Sequence, residues 1–177
     1  MLQIYGTSLQ TPLNSDQHIN SSKSQILLNT PSVPILSIQT TPEIVRTFVD
    51  EYFKAWQGTD VNKILAYFSD DVVLHLPTGT MDGKDAVRDN FVRPFITGFP
   101  GNVHVPVNLA HARNLVAVEW NFEATHEGPF AGLPATGKQV KVPGCSMYEY
   151  DLDRRVITSG RIYFDLAILC AAIDCAF

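Results

Sequence analysis

Val103-His104-Val105-Pro106-Val107-Asn108-Leu109 alternates apolar residues with polar ones or proline along its whole length. A repeat of two is that of a β-strand, whose successive side chains leave on opposite faces. Pro106 has no N–H for a ladder, so part of this strand lacks a partner on that side. Further along, Ala112-Arg113-Asn114 marks a turn, and Leu115–His126, Gln139–Tyr150 and Val156–Asp165 read as three more long strands, the last two joined by a turn over Asp151–Arg155. A short apolar helix over Leu166–Ile173 follows.

Toward the N-terminus the repeat becomes helical. A helix starting near Lys84-Asp85 sets Val87, Phe91 and Phe95 on one stripe, with Pro94 expected to kink or end it. Val72-Val73-Leu74-His75-Leu76 is a strand stopped by Pro77-Thr78-Gly79. Before it, Asp60 caps a short helix running through Phe68. Thr41-Pro42-Glu43 combines a capping hydroxyl, a first-turn proline and an acid at the positive end of a helix. Ile44, Phe48 and Tyr52 then recur every four residues beside Val45, Val49, Phe53 and Trp56, until Gly58 ends the helix. The order predicts an α+β fold, a cone-shaped curved antiparallel sheet wrapped around the long N-terminal helix. Three helices cannot cover such a sheet, so its open end leaves a conical cavity, the default ligand site.

Residues 1–40 differ from the rest: Asp16 and Lys23 are their only charged residues, and 19 of the 40 are Ser, Thr, Asn or Gln. With Pro12, Pro31 and Pro34 interrupting it, this stretch is expected to be a flexible or extended polar arm on a domain spanning 41–177. The start lacks the basic and apolar pattern of a signal peptide, no apolar run reaches membrane-spanning length, and a cytoplasmic protein is expected. A net charge of −5 without a basic cluster speaks against nucleic acid as a partner. Cys145, Cys170 and Cys175 are an odd number, and Cys170 and Cys175 are spaced too widely for CxxC, so all three read as small buried apolar residues. No two histidines have HxH or HxxxH spacing, and no metal site is expected.

The run Ala124-Thr125-His126-Glu127-Gly128-Pro129-Phe130-Ala131-Gly132-Leu133-Pro134-Ala135-Thr136-Gly137-Lys138-Gln139-Val140 resembles the signature loop of SnoaL-like polyketide cyclases, within the nuclear-transport-factor-two-like superfamily. The resemblance extends over about residues 42–173, including Asp70-Asp71-Val72. It implies a cofactor-free cyclase or isomerase performing acid–base, aldol-type chemistry on an apolar polyketide or terpenoid. It also implies that Asp165, on the last strand, is the general acid and base; burial raises such a carboxyl toward working pH. The competing reading makes Asp165 the N-cap of the last helix.

His126 matches the His of that loop, and the helpers expected beside Asp165 are His126 and His75, each with a structural alternative as a hydrogen-bonded histidine. Tyr52, Trp56, Trp120, Phe122, Tyr148 and Tyr163 are candidates to hold flat rings, and Arg161 to bind a carboxylate or enolate. If Trp120 and Phe122 face the cavity, Glu119 and Asn121 face away; with reversed parity Glu119 becomes the rival base. The resemblance also has gaps: Glu119-Trp120-Asn121 stands where epoxide hydrolases of this fold have Arg-x-Asp, Leu76 precedes Pro77 where ketosteroid isomerases place their base, and Ser159-Gly160-Arg161 replaces the cyclases' Glu-His-Trp. Alternatives are an epoxide or lactone ring-opening hydrolase, and a non-catalytic ligand-binding or dimerisation module. The partners expected are a hydrophobic small molecule and, over the sheet's outer face, a second copy in a homodimer.

Overall fold

A computed structural model describes residues 43–175. The polar arm and the Thr41-Pro42 part of the first cap lie outside the described residues.

Helix α1 (Glu43–Trp56) buries Val45, Phe48, Val49, Tyr52, Phe53 and Trp56 and leaves Ile44 half exposed. The amphipathic repeat therefore does what its spacing dictates: one stripe faces the sheet and the other faces solvent. Asp60 caps α2 (Val61–Leu65) by accepting from the Asn62 N–H at 3.0 Å. This helix stops before Phe68, because Phe68 opens β1 (Phe68–Leu76) and pairs with Ile157, while the adjacent Tyr67 carbonyl accepts from the Ile157 N–H. The Pro77-Thr78-Gly79 stop turns into a short hairpin strand, β2 (Gly79–Asp82), absent from the sequence expectation.

Pro94 does not end its helix. α3 (Lys84–Val87) passes through a π-helical turn (Arg88–Val92) into α4 (Arg93–Gly98), and the Arg93 N–H reaches back to the Arg88 carbonyl. The wider turn takes up the register just ahead of the residue that has no N–H to give.

The remaining strands are β3 (Val103–Ala112), β4 (Leu115–Thr125), β5 (Gln139–Asp151) and β6 (Val156–Phe164), followed by α5 (Leu166–Ile173). They form one sheet ordered β2-β1-β6-β5-β4-β3. The wholly antiparallel expectation is corrected at one place: β1 and β6 run parallel, joined by the long crossover through α3, α4 and β3–β5. β3 is an edge strand, consistent with Pro106, and its register with β4 shifts between Pro106 and Asn108.

The pairing of β3 with β4 decides which of its faces is inside. Its valines form the outer face: Val105 is 41% exposed and Val107 51%. The inner face carries His104, whose ring lies 5.2 Å from those of Phe53, Trp120 and Phe122.

Candidate active site: an aromatic chamber with one imidazole

Where α1 crosses the inner face of the sheet, a small hollow remains. Tyr52, Phe53 and Trp56 form its helical wall; His104, Trp120, Phe122, Ser146 and Tyr148 form its sheet wall. Phe91 and Phe95 close it on one side, and Ile162, Phe164 and Leu169 on another. Two glycines make room for the largest rings. Gly144 stands opposite Trp120 in the β4–β5 register, and a Cβ there would fall 2.3 Å from the indole. Gly160 stands opposite Tyr148 across β5–β6, where a Cβ would come within 2.9 Å of the phenol ring. Glycine in a strand interior costs stability on its own; here each one lets a ring lie flat over the neighbouring backbone.

The chamber's polar groups form a connected set with one exception. Trp120 Nε1–H donates to Ser146 Oγ at 2.9 Å. The Tyr148 phenol is hydrogen-bonded to Ser146 and Tyr52. Burial pushes it up to about 12, against the opposing pull of those two hydroxyls. Burial, reinforced by Tyr148, also holds the Tyr52 phenol well above its ordinary value. Both therefore stay protonated at neutral pH and can donate. The exception is His104. Burial among rings lowers its pKa to about 3, and its Nδ1 is enclosed with no hydrogen-bond partner. An unsatisfied buried polar atom costs about 1–3 kcal/mol, so a guest that hydrogen-bonds to it would recover that energy.

The residues singled out in the sequence divide sharply. Tyr52, Trp56, Trp120, Phe122 and Tyr148 all line the hollow. Arg161 and Tyr163 do not: they alternate with Ile162 and Phe164, which point inward, so the strand repeat sends both outward, Tyr163 being 56% exposed. His75 is on the outer face by the same rule, between buried Leu74 and half-buried Leu76, with Nδ1 2.9 Å from Thr80 Oγ1. Asp165 is exposed and caps α5, accepting from the N–H groups of Ala167 at 2.9 Å and Ile168 at 3.1 Å. It is not in the chamber wall, and the expectation of a dry carboxyl there is corrected: the strand ends at Phe164 and the cap geometry turns the carboxylate to the helix start.

His126 is completely buried but sits behind the chamber, Nδ1 3.0 Å from Thr136 Oγ1 and ring against Phe99. Its backbone ties the signature loop shut, through His126 N–H to Lys138 O and Gly137 N–H to His126 O, both 2.9 Å. Neighbouring amides of Glu127 and Gly128 bond to Gly98 O at the end of α4. His111 is buried too, with both ring nitrogens unpartnered, but lies outside the lining. Glu119 points outward, as expected when Trp120 and Phe122 face in, and no carboxylate lines the hollow.

His104 is the residue that reading the sequence missed. The signal that could have found it was the same alternation, phased by the β4 aromatics: His104 pairs with Phe122.

The free space inside is about 30 Å³, close to the share of one liquid water. Aromatic rings fill most of the expected conical cavity, and a multi-ring guest enters only if they move. Among the described residues no group of three or more His, Cys, Asp or Glu is placed to hold a metal, and no helix is long and apolar enough to cross a membrane.

A curved sheet folded over one long helix, with an apolar chamber between them, defines the nuclear-transport-factor-two-like class. Within it the chain belongs to the SnoaL-like domain family, which matches residues 49–157. Similar solved structures include a candidate SnoaL-like polyketide cyclase from Jannaschia sp. CCS1, with 19% identity and a TM-score of 0.66 over 78% of this chain and 99% of that one. AclR, a candidate hydroxylase from Streptomyces galilaeus, shares 19% identity at a TM-score of 0.63 over 73% of this chain and 80% of its own. A protein of ketosteroid isomerase-like fold from Catenulispora acidiphila, in complex with trimethylamine, shares 20% identity at a TM-score of 0.60, covering 77% and 96%. No curated protein matches the chain significantly in sequence. At these identities the structures speak to the fold alone.

Proposed function

We propose that the chamber takes a compact, mainly apolar carbonyl compound of polyketide or terpenoid type and moves a proton on it, in an aldol-type cyclisation or an isomerisation. His104 is the acceptor and the Tyr148 phenol the donor. The observation that carries this reading is the buried, unpartnered Nδ1 of His104 in a wall that also holds two protonated phenols. Burial keeps the ring neutral, so its acceptor is available at pH 7. The same burial makes an isolated imidazolium costly. Proton transfer is therefore favourable only as negative charge develops on the substrate oxygen nearby, where the phenol donates to it. SnoaL-like relatives named as polyketide cyclases support the substrate class.

The test is proton exchange. The full chain is incubated in D2O with cyclohexanone or 1-decalone, and exchange next to the carbonyl is followed by NMR. Exchange above background is expected, falling about 100-fold or more in His104→Gln and persisting in Asp165→Asn. Loss in Asp165→Asn with the fold intact would instead return the chemistry to the carboxylate.

The second reading, a binding module without turnover, is favoured by the 30 Å³ of free space and by the compact trimethylamine held by the Catenulispora protein. It predicts a melting shift with small guests and no exchange. A ring-opening hydrolase draws no support from a lining without carboxylates. We also propose a homodimer through the outer sheet face, where Val105, Val107 and Tyr163 are exposed. Analytical ultracentrifugation of the wild type and Tyr163→Glu tests it, the variant being expected to dissociate.

A further inference from the structure

Helix α5 ends in a left-handed residue, Asp174, with φ of 61°. That turn folds the chain back so that the Cys175 N–H donates to the Cys170 carbonyl at 2.8 Å. Such a six-to-one closure brings the side chains of the two bracketing residues together. Both are cysteines, and their thiols are in hydrogen-bond contact. Cys170 is buried, 4% exposed, while Cys175 is half-buried. The third cysteine, Cys145, is on β5 and opposes Glu119 and Tyr163 in the sheet register.

We propose that Cys170 and Cys175 are a thiol–disulfide exchange site, which closes to an intramolecular disulfide when a low-molecular-weight disulfide such as oxidised glutathione is the oxidant. The Cys175 thiolate, being the more accessible, attacks one sulfur of oxidised glutathione, expels one glutathione thiolate and leaves a mixed disulfide. The Cys170 thiolate then attacks the Cys175 sulfur and expels the second glutathione. Two protein thiols become one disulfide, one glutathione disulfide becomes two thiols, and the two protons pass to the solvent and the departing thiolates. Burial holds the Cys170 thiol above its ordinary value, so little of it is thiolate at neutral pH, and the second step rests on the closeness of Cys170 to Cys175 rather than on acidity.

The site lies at a useful place. Leu169, the neighbour of Cys170, lines the chamber, and Asp174 is tied to Lys138 of the signature loop at 2.6 Å. Closing the bond fastens the helix end that spans these two contacts.

The full chain is treated with oxidised glutathione under native conditions, quenched in acid and mapped by mass spectrometry. The expected product is a peptide linking Cys170 to Cys175, with the chain lighter by two hydrogens. Cys170→Ser should instead accumulate the glutathione adduct on Cys175, and Cys175→Ser should stay free of both products at these two positions. Amide exchange at 171–175 should slow in the oxidised wild type. A wild-type adduct that persists at Cys175, a bond to Cys145, or no reaction would each overturn the proposal; the wild-type map decides this even if a variant fails to fold.

Discussion

The chamber wall and its rim are built from the same strands, yet they treat polar groups in opposite ways. On the rim, Asp165 meets two amide donors, Lys138 meets Asp174, and the His126 backbone pins both ends of the signature loop. These groups are occupied in holding structure. In the wall, Ser146, Tyr148, Tyr52 and Trp120 satisfy one another, and His104 is left with an open acceptor. Asp165 and His75, two of the residues that look most chemical in a linear reading, are already engaged by the fold. A polar group held in reserve inside a dry chamber is the better marker of function.

The largest test of that contrast is Gly144→Val. Its Cβ would overlap Trp120 at 2.3 Å, and a loss of about 3 kcal/mol, at the upper end of overpacking costs, is expected in denaturant melts. A near-neutral result would mean that Trp120 is free to leave the wall and that the chamber readily opens.

His104 supplies the next test, through acid stability. Its pKa of about 3 in the fold lies below the ordinary 6.5, so between those values the unfolded chain binds a proton that the folded chain does not. Stability should therefore rise with pH across this window and be lost as pH falls through it, with a slope of up to about 1.4 kcal/mol per pH unit from this group. His104→Phe should flatten that part of the profile, as read by urea melts at pH 4, 5 and 6.

Smaller effects are expected at the rim. Asp165→Ala should cost about 1 kcal/mol, the usual worth of a helix cap, and Asp165→Ser much less, with proton exchange unchanged in both. Least of all, His75→Ala should shift stability by no more than about 0.5 kcal/mol, because its Thr80 contact lies at an exposed surface. A loss of exchange in His75→Ala would erase the distinction between the two regions.

Much of the molecule was legible in order and spacing. α1 and its stripe, the four long strands and the terminal helix followed from local repeats and turn residues, and Ala124–Val140 carried the family resemblance. So did five of the aromatic wall residues, because Trp120 and Phe122 share a parity that Tyr52 and Trp56 complement on the helix. The phase misread in β6 and the one left open in β3 have one cause. A strand repeat says which residues share a face, not which face is inside. In β3 the alternation names two faces, and only the pairing with β4 shows that Val105 is outward and His104 inward. In β6 Tyr163 and Arg161 were expected among the binding residues, but Ile162 and Phe164 take the inward positions.

The sequence by itself determined the elements and the fold class, because these depend on short-range periodicity, capping and turn chemistry; the family was legible only through the resemblance of Ala124–Val140 to a known signature loop. It also determined that an aromatic chamber would form. Tertiary structure alone decided that the chamber is nearly full, that Asp165 is spent on a helix start, and that the Nδ1 of His104 is enclosed and unpaired. Each of those facts depends on which atoms from distant segments arrive around a group and exclude water from it, and no spacing along the chain encodes that directly.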